Sequence, residues 1–154
     1  MIILRPYTPT EEFRILSLIQ AYFGSGPGMA YETLGEWLRP PNAIYFITRD
    51  GQAVGLLRLG FRGGNVAWVE DIFVDEKLRR QGIASEAIAL AEDIVRARSG
   101  YTALHLEVVP RNENALRLYH QLGFDSLSLV TLRKNFDGSK KDRSVSLLGL
   151  ELRY

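Results

Sequence analysis

One stretch constrains the fold more than any other. From Val66 to Val109 the chain reads as strand, short loop, long amphipathic helix, strand. Val66 to Val74 is an apolar run interrupted by Glu70-Asp71. Gly82 to Arg98 then carries Ile83, Ala84, Ala87, Ile88, Ala91, Ile94 and Val95 at helical spacing, and Gly100 ends it. Leu104 to Val109 is the second strand. A strand, crossover helix and strand of this kind make the two strands parallel, with a right-handed connection. At 154 residues the chain has the length of one domain, 1–154, with enough surface to bury for a proper core. A hydrophobic fraction of 46% and a charged fraction of 24% exclude disordered, collagen-like and coiled-coil classes.

The remaining elements arrange themselves around that unit. Ile2 to Leu4 is a short strand, ended by Arg5-Pro6. Thr8, Pro9 and Glu11 read as a capping box opening a helix whose apolar stripe is Phe13, Leu16, Ile19 and Phe23. Gly24 to Gly28 is a loop, and Tyr31 to Leu38 a short helix or turn closed by Pro40-Pro41. Ile44 to Thr48 and Ala53 to Leu59 flank Asp50-Gly51, which is a hairpin signal, and Gly63-Gly64 turns into Val66. Asn112 starts a helix with Ala115, Leu118, Tyr119 and Leu122 on its inner face, and Gly123 stops it. Leu127 to Leu132 and Val145 to Leu152 read as strands joined around Asp137-Gly138.

Charge and cysteine content narrow the chemistry. Lys+Arg is 19 and Asp+Glu is 18, so the net charge is +1 and no global field favours a nucleic acid or an anionic membrane. Any anion site must come from local geometry. With no Cys there is no disulfide, thiol nucleophile or thiolate metal site. No His-Glu-x-x-His or Gly-x-Ser-x-Gly is present, and His105 and His120 stand isolated, so no metal is expected. The first residues lack a signal-peptide pattern and no apolar run would span a bilayer, which points to a cytoplasmic protein.

Two loops carry the chemistry. Asp75 to Ala84 joins a strand to the long helix. Gly82 allows close approach to the backbone, and the helix N-terminus offers unpaired N–H groups beside Arg79 and Arg80. This is a pyrophosphate cradle without the Gly-Lys-Ser/Thr of a P-loop; taken alone, it is equally an ordinary turn with two solvated arginines. After the next strand comes Asn112-x-x-Ala115-x-x-x-Tyr119-x-x-x-Gly123-Phe124. The two patterns on successive strand–helix junctions resemble the GNAT superfamily of acetyl-CoA-dependent N-acetyltransferases. Glu70 to Val74 with Arg79-Arg80-Gln81-Gly82-Ile83-Ala84 is similar to its acetyl-CoA motif. Ala84 stands where the family normally has Gly.

The resemblance implies an α/β (α+β) fold with a mixed, mostly antiparallel sheet of about seven strands and about four helices. One parallel pair would splay after Val74 and Val109. It implies that backbone groups of Arg80, Gln81, Gly82, Ile83, Ala84 and Ser85, with Arg79 alongside, hold the CoA pyrophosphate. Ile72, Phe73 and Val74 would pair with the pantetheine arm. Asn112 would be a polar contact to the cosubstrate, although its place also suits an N-cap. Tyr119 would protonate the departing thiolate, although periodicity alone makes it a core aromatic. A primary amine is neutral in only about one in several thousand molecules at pH 7, so a carboxylate base is wanted. Glu70, in a context similar to polyamine acetyltransferases, and Glu107, in one similar to ribosomal-protein N-terminal acetyltransferases, are the two candidates. Asp71 should face away from Glu70, because strand side chains alternate. The segment Tyr22 to Leu38, with Tyr22, Phe23, Tyr31, Glu32, Glu36 and Trp37, would wall the acceptor site.

The expected activity is direct acetyl transfer from acetyl-CoA to a primary amine of a small or polyamine-like molecule, with neither nucleic acid nor membrane as partner. The alternatives are an acetyltransferase of peptide N-termini or lysines, and a non-catalytic acetyl-CoA-binding sensor. Homodimerisation is common in the family, so the resemblance also raises a homodimer.

Overall fold

A computed structural model describes residues 1–154. Contacts divide the chain into two compact units, Met1–Glu107 and Val108–Tyr154. In the first, β1 (Ile2–Pro6), β2 (Asn42–Arg49), β3 (Gln52–Gly60), β4 (Val66–Val74) and β5 (Ala103–Leu106) form one sheet in that order. The first four pair antiparallel, and β4 with β5 parallel. The β2–β3 hairpin turns on Asp50 and Gly51, both at positive φ (51° and 80°), as a two-residue hairpin with the sheet's twist requires.

Alternation along the strands separates two cores. Tyr45 and Ile47 of β2, with Leu57, Leu59, Ala67 and Val69, pack with α3 (Ile83–Arg96). Ile44 and Phe46, with Leu56 and Phe73, pack with α1 (Glu12–Phe23) and α2 (Pro27–Trp37). In α3 the expected stripe is the buried one, with Ile83, Ala87, Ile88, Ala91 and Val95 inside. Ile83 is only 3% exposed in the helix's first turn. Its burial is worth about 1.5–3 kcal/mol and pins the helix N-terminus to the sheet.

Several expectations fail for identifiable reasons. The α1 stripe is Ile15, Leu16 and Ile19, while Phe13 is 86% exposed and Phe23 also lies largely in solvent. Glu11 makes no capping box. Arg5 takes both its oxygens (2.5 and 2.7 Å), which holds that carboxyl below its usual range, and Thr8 bonds to the same carboxylate. The loop read from Gly24 to Gly28 already contains the start of α2, with Pro27 in its first turn. β5 stops at Leu106 rather than running to Val109.

The second unit contains α4 (Glu113–Gln121) and a separate two-stranded sheet of β6 (Ser144–Leu147) and β7 (Leu150–Arg153). The single sheet of about seven strands is therefore a sheet of five and a hairpin. Leu127 to Leu132 forms no strand, and Val145 to Leu152 is two strands around the positive-φ pair Leu148 and Gly149. Asp137 instead folds a local turn, accepting from the Ser139 N–H at 2.9 Å.

Candidate active site

The loop after β4 is built to present backbone N–H groups. Asp75 Oδ1 accepts from the Lys77 N–H (2.9 Å) and caps a one-turn 3₁₀ helix at Glu76–Leu78. Arg79 is committed to the scaffold: its Nε donates to the Val74 carbonyl (3.0 Å), it pairs with Glu76, and its guanidinium lies over the Phe73 ring. Arg80 adopts φ 64° and is exposed, with no ion pair, so of the two arginines it is the one available to an anion. Gln81 accepts from Arg49 at 2.7 Å, a contact that no sequence spacing announces. Gly82 is the N-cap of α3 at φ 78°, a conformation that costs an L-residue roughly 1–2 kcal/mol. A Cβ there would meet nothing within 4 Å, so the space above the turn is open. The first N–H to turn back into the helix is that of Glu86, to the Gly82 carbonyl (3.1 Å). The N–H groups of Gly82, Ile83, Ala84 and Ser85 are thus left for an external acceptor, with the helix dipole behind them. These donors and Arg80 fit a pyrophosphate.

β4 supplies the second half. Its parallel pairing with β5 ends at Val69 opposite Leu106, earlier than the Val74 and Val109 expected. Glu70 to Val74 therefore run on with no strand partner on that side, leaving main-chain donors and acceptors along an open edge. Phe73 and Val74 are 5% and 8% exposed, so only their backbone is on offer. Against β3, Leu59 pairs with Val69 and Arg58 with Asp71, which leaves Glu70 as the extra residue of a β-bulge. The bulge overturns the expected alternation. Ala67 and Val69 face α3, and so do Ile72 and Val74, so the phase slips between 69 and 72. Asp71 pairs with Arg58 (2.6 Å), whose guanidinium stacks on Trp37 of α2. Glu70 pairs with Arg62, which lies over Trp68, the neighbour facing away from α3. Glu70 and Asp71 thus share one face.

Glu70 is tightly placed. Arg62 Nε donates to its Oε1 at 2.6 Å and Nη2 to Oε2. Its carboxyl rests against Gly60, where an added Cβ would overlap Oε1 and stand 2.7 Å from Cδ. Glu107 is exposed just beyond β5, and its charge, together with that of Glu70, helps to raise the Arg62 pKa, the hydrogen bonds that Arg62 donates to Glu70 being the largest cause. Of the segment expected to wall an acceptor site, Tyr22 lies against the Phe73 ring (5.5 Å between centroids), Trp37 is buried, and Tyr31, Glu32 and Glu36 are exposed.

In the second unit, Asn112 caps α4, its Oδ1 accepting from the Ala115 N–H at 3.3 Å. Its amide NH₂ makes no bond and is free to donate. Tyr119 is half-buried, edge-on to Phe124 at 6.0 Å, and burial raises its pKa above the usual phenol value. It is therefore protonated at neutral pH and able to donate. Sequence reasoning missed Gly60, Arg62 and Arg49. Only strand register brings them to the site, and no local spacing encodes it.

The family model described as "Acetyltransferase (GNAT) family" matches residues 11–124, which takes in the open β4 edge, the Gly82 turn and the Asn112–Phe124 pattern. The chain belongs to the GNAT acetyltransferase family. It is an acetyl-CoA-dependent N-acetyltransferase, which sets aside the sensor alternative. Among curated relatives, the aminoglycoside N(6')-acetyltransferase type 1 of Klebsiella aerogenes is 26% identical over 141 residues, covering 83% of this chain and 92% of that protein. Among solved structures, AAC(6')-Iy in complex with the bisubstrate analogue CoA-S-monomethyl-acetylneamine superposes with a TM-score of 0.71. The two are 22% identical, with 88% of this chain and 99% of that chain covered. A transcriptional regulator from Bacillus halodurans C-125 gives a TM-score of 0.70 at 20% identity, covering 88% of this chain and all of its own. These structures share the GNAT fold. No helix is long and apolar enough to cross a membrane.

Proposed function

We propose that this GNAT enzyme acetylates a primary amine on a small, cationic molecule of the aminoglycoside or polyamine kind, by direct transfer in a ternary complex. The observation that carries the reading is Glu70. It is a carboxylate seated on a β-bulge, at the point where β4 loses its parallel partner, and it is already bound to one cation. The likeness to aminoglycoside acetyltransferases supports the same class of acceptor.

In this reading the two units act together as one domain, 1–154, in the cytoplasm, where acetyl-CoA is made. Backbone groups of Ile72, Phe73 and Val74 extend the β4 edge to the pantetheine arm. The N–H groups from Arg80 through Ser85 and the Arg80 guanidinium hold the pyrophosphate, and Arg79 positions the loop rather than touching phosphate. The Asn112 amide donates to the cosubstrate while its Oδ1 caps α4. Acetyl-CoA supplies the activated acyl group. Glu70 attracts the acceptor's ammonium and takes up its proton, directly or through water, and Glu107 is the second carboxylate within reach of the same charge. The amine nitrogen forms its bond to the acyl carbon as the C–S bond breaks, and the Tyr119 hydroxyl gives its proton to the departing sulfur.

The test is a panel of n-butylamine, spermidine, neamine and N-terminally free peptides, followed by release of the CoA thiol. Turnover of spermidine or neamine, lost in Glu70→Gln, is expected. Turnover of peptides alone would refute the small-molecule reading.

A further inference from the structure

The two arginine–carboxylate pairs beside the β4 bulge are built differently. Arg58 and Asp71 are both largely buried, with side chains 16% and 11% exposed, and Arg58 is clamped on Trp37. In the other pair the Glu70 side chain is 9% exposed but that of Arg62 is 50% exposed. The carboxylate is held in the wall and its cation stands in solvent. Arg62 belongs to the turn between β3 and β4, close to Gly63 and Gly64, both at positive φ, and its only other contact of note is the face of Trp68, 4.5 Å away. Half of its surface is therefore free to leave, while Glu70 is confined by Gly60.

We propose that Arg62 is the resident cation of the acceptor site: its guanidinium occupies Glu70 until the acceptor's ammonium displaces it. This rests on the acceptor reading given above. The exchange is cation for cation, so the wall keeps its charge balance and Glu70 is never left buried without a partner, which would be costly. Arg62 cannot shed its proton and so cannot vacate the carboxylate by titration. A neutral ligand gains nothing from Glu70 that Arg62 does not already supply, so the pair selects for acceptors that bring their own positive charge. Glu107, whose charge also acts on Arg62, stands near enough to favour the guanidinium once it is displaced.

Three measurements test this. Steady-state kinetics with spermidine and neamine are compared for wild type, Arg62→Ala and Arg62→Lys. Binding of both amines to the CoA-loaded enzyme and of acetyl-CoA to the free enzyme is measured by calorimetry. Removing the resident cation should lower KM and the amine dissociation constant by about three- to tenfold, the range for a pair with one exposed partner. Arg62→Lys, which keeps the charge but loses the two-pronged geometry, should fall between, and acetyl-CoA affinity should hold within about twofold. A KM that is unchanged or raised in Arg62→Ala, with kcat reduced, would overturn the proposal and leave Arg62 only a brace for Glu70. If Arg62→Ala does not fold, a wild-type KM in Arg62→Lys has the same force. Glu70→Gln separates the two levels. If it alters neither KM nor kcat, the acceptor reading itself has failed. If it does but Arg62→Ala leaves KM unchanged, only the resident-cation proposal has failed.

Discussion

Gly55 and Gly60 both lie in β3, and adding one methyl group to each should separate stability from catalysis. At Gly55 a Cβ would overlap the Phe73 carbonyl oxygen and stand 3.1 Å from its carbon and 3.2 Å from Val74 Cα. Those atoms are β4 backbone, which cannot swing aside, so the strands must part. Overpacking of that kind costs about 1–3 kcal/mol, or roughly 3–10 °C in Tm for a chain of this size. At Gly60 the obstacle is instead the Glu70 side chain, whose Oε1, Cδ and Cγ crowd the new methyl. That side chain can rotate. The structural loss is part of the Arg62–Glu70 pair, about 1 kcal/mol or less given Arg62's exposure. It is offset by the reduced freedom of the unfolded chain when Ala replaces Gly outside the left-handed region, about 0.4–1 kcal/mol. Gly60→Ala should therefore melt within about 3 °C of wild type. Its carboxylate, however, is displaced by about an ångström, and misplacement on that scale costs on the order of 10²-fold in rate. The assays are thermal melts and kcat/KM at neutral pH with the best amine of the panel. A Gly60→Ala enzyme with wild-type kcat/KM, or one as destabilised as Gly55→Ala, would refute the placement of Glu70.

Gly82→Glu should leave the fold intact and weaken acetyl-CoA binding by several kcal/mol in calorimetry, through like charge at the N–H cradle and strain at φ 78°; unchanged affinity in the folded variant would remove the cradle assignment. Tyr119→Phe should keep acetyl-CoA affinity and lower kcat by about 10²–10⁴-fold. Burial raises the Tyr119 pKa, so wild-type kcat should show no loss from this group until the pH passes the ordinary phenol value of about 10. Above that pH the unfolded chain ionises first, so wild-type stability should decline with rising pH and the Phe variant should lack that share of the decline. Glu70→Gln should lower kcat/KM most near neutrality and recover in part at high pH, where the amine is deprotonated unaided, with Glu107→Gln milder; full pH–rate profiles that stay wild-type in both would exclude a carboxylate base at these two positions.

What the sequence made legible follows from range. The crossover from β4 through α3 to β5 is written in hydrophobic periodicity, and the Asp50-Gly51 hairpin in two adjacent residues, so both could be read locally. So could the Asn112 cap and the Gly82 turn. The bulge at Glu70 could not, because an inserted residue shows only when β3 is laid beside β4. The early end of the β4–β5 pairing and the Arg62–Glu70 pair depend on the same register. Leu127 to Leu132 has the composition of a strand, but composition does not supply a ladder partner. Phe13 had the right spacing for the α1 stripe, yet Ile15 claims that face. α2 begins ahead of its apolar residues, because Gly24 to Gly28 looks like a loop whereas Pro27 fits a first turn.

The central claim is that acetyl-CoA lies along the unpaired edge of β4 with its pyrophosphate on the Gly82 turn. Amide hydrogen exchange of the full chain, with and without saturating acetyl-CoA, tests this most directly. The account predicts new protection concentrated in residues 70–74 and 81–85, whose N–H groups lack internal acceptors on the open side. Saturating acetyl-CoA that protects other segments and leaves both of these unchanged would contradict it.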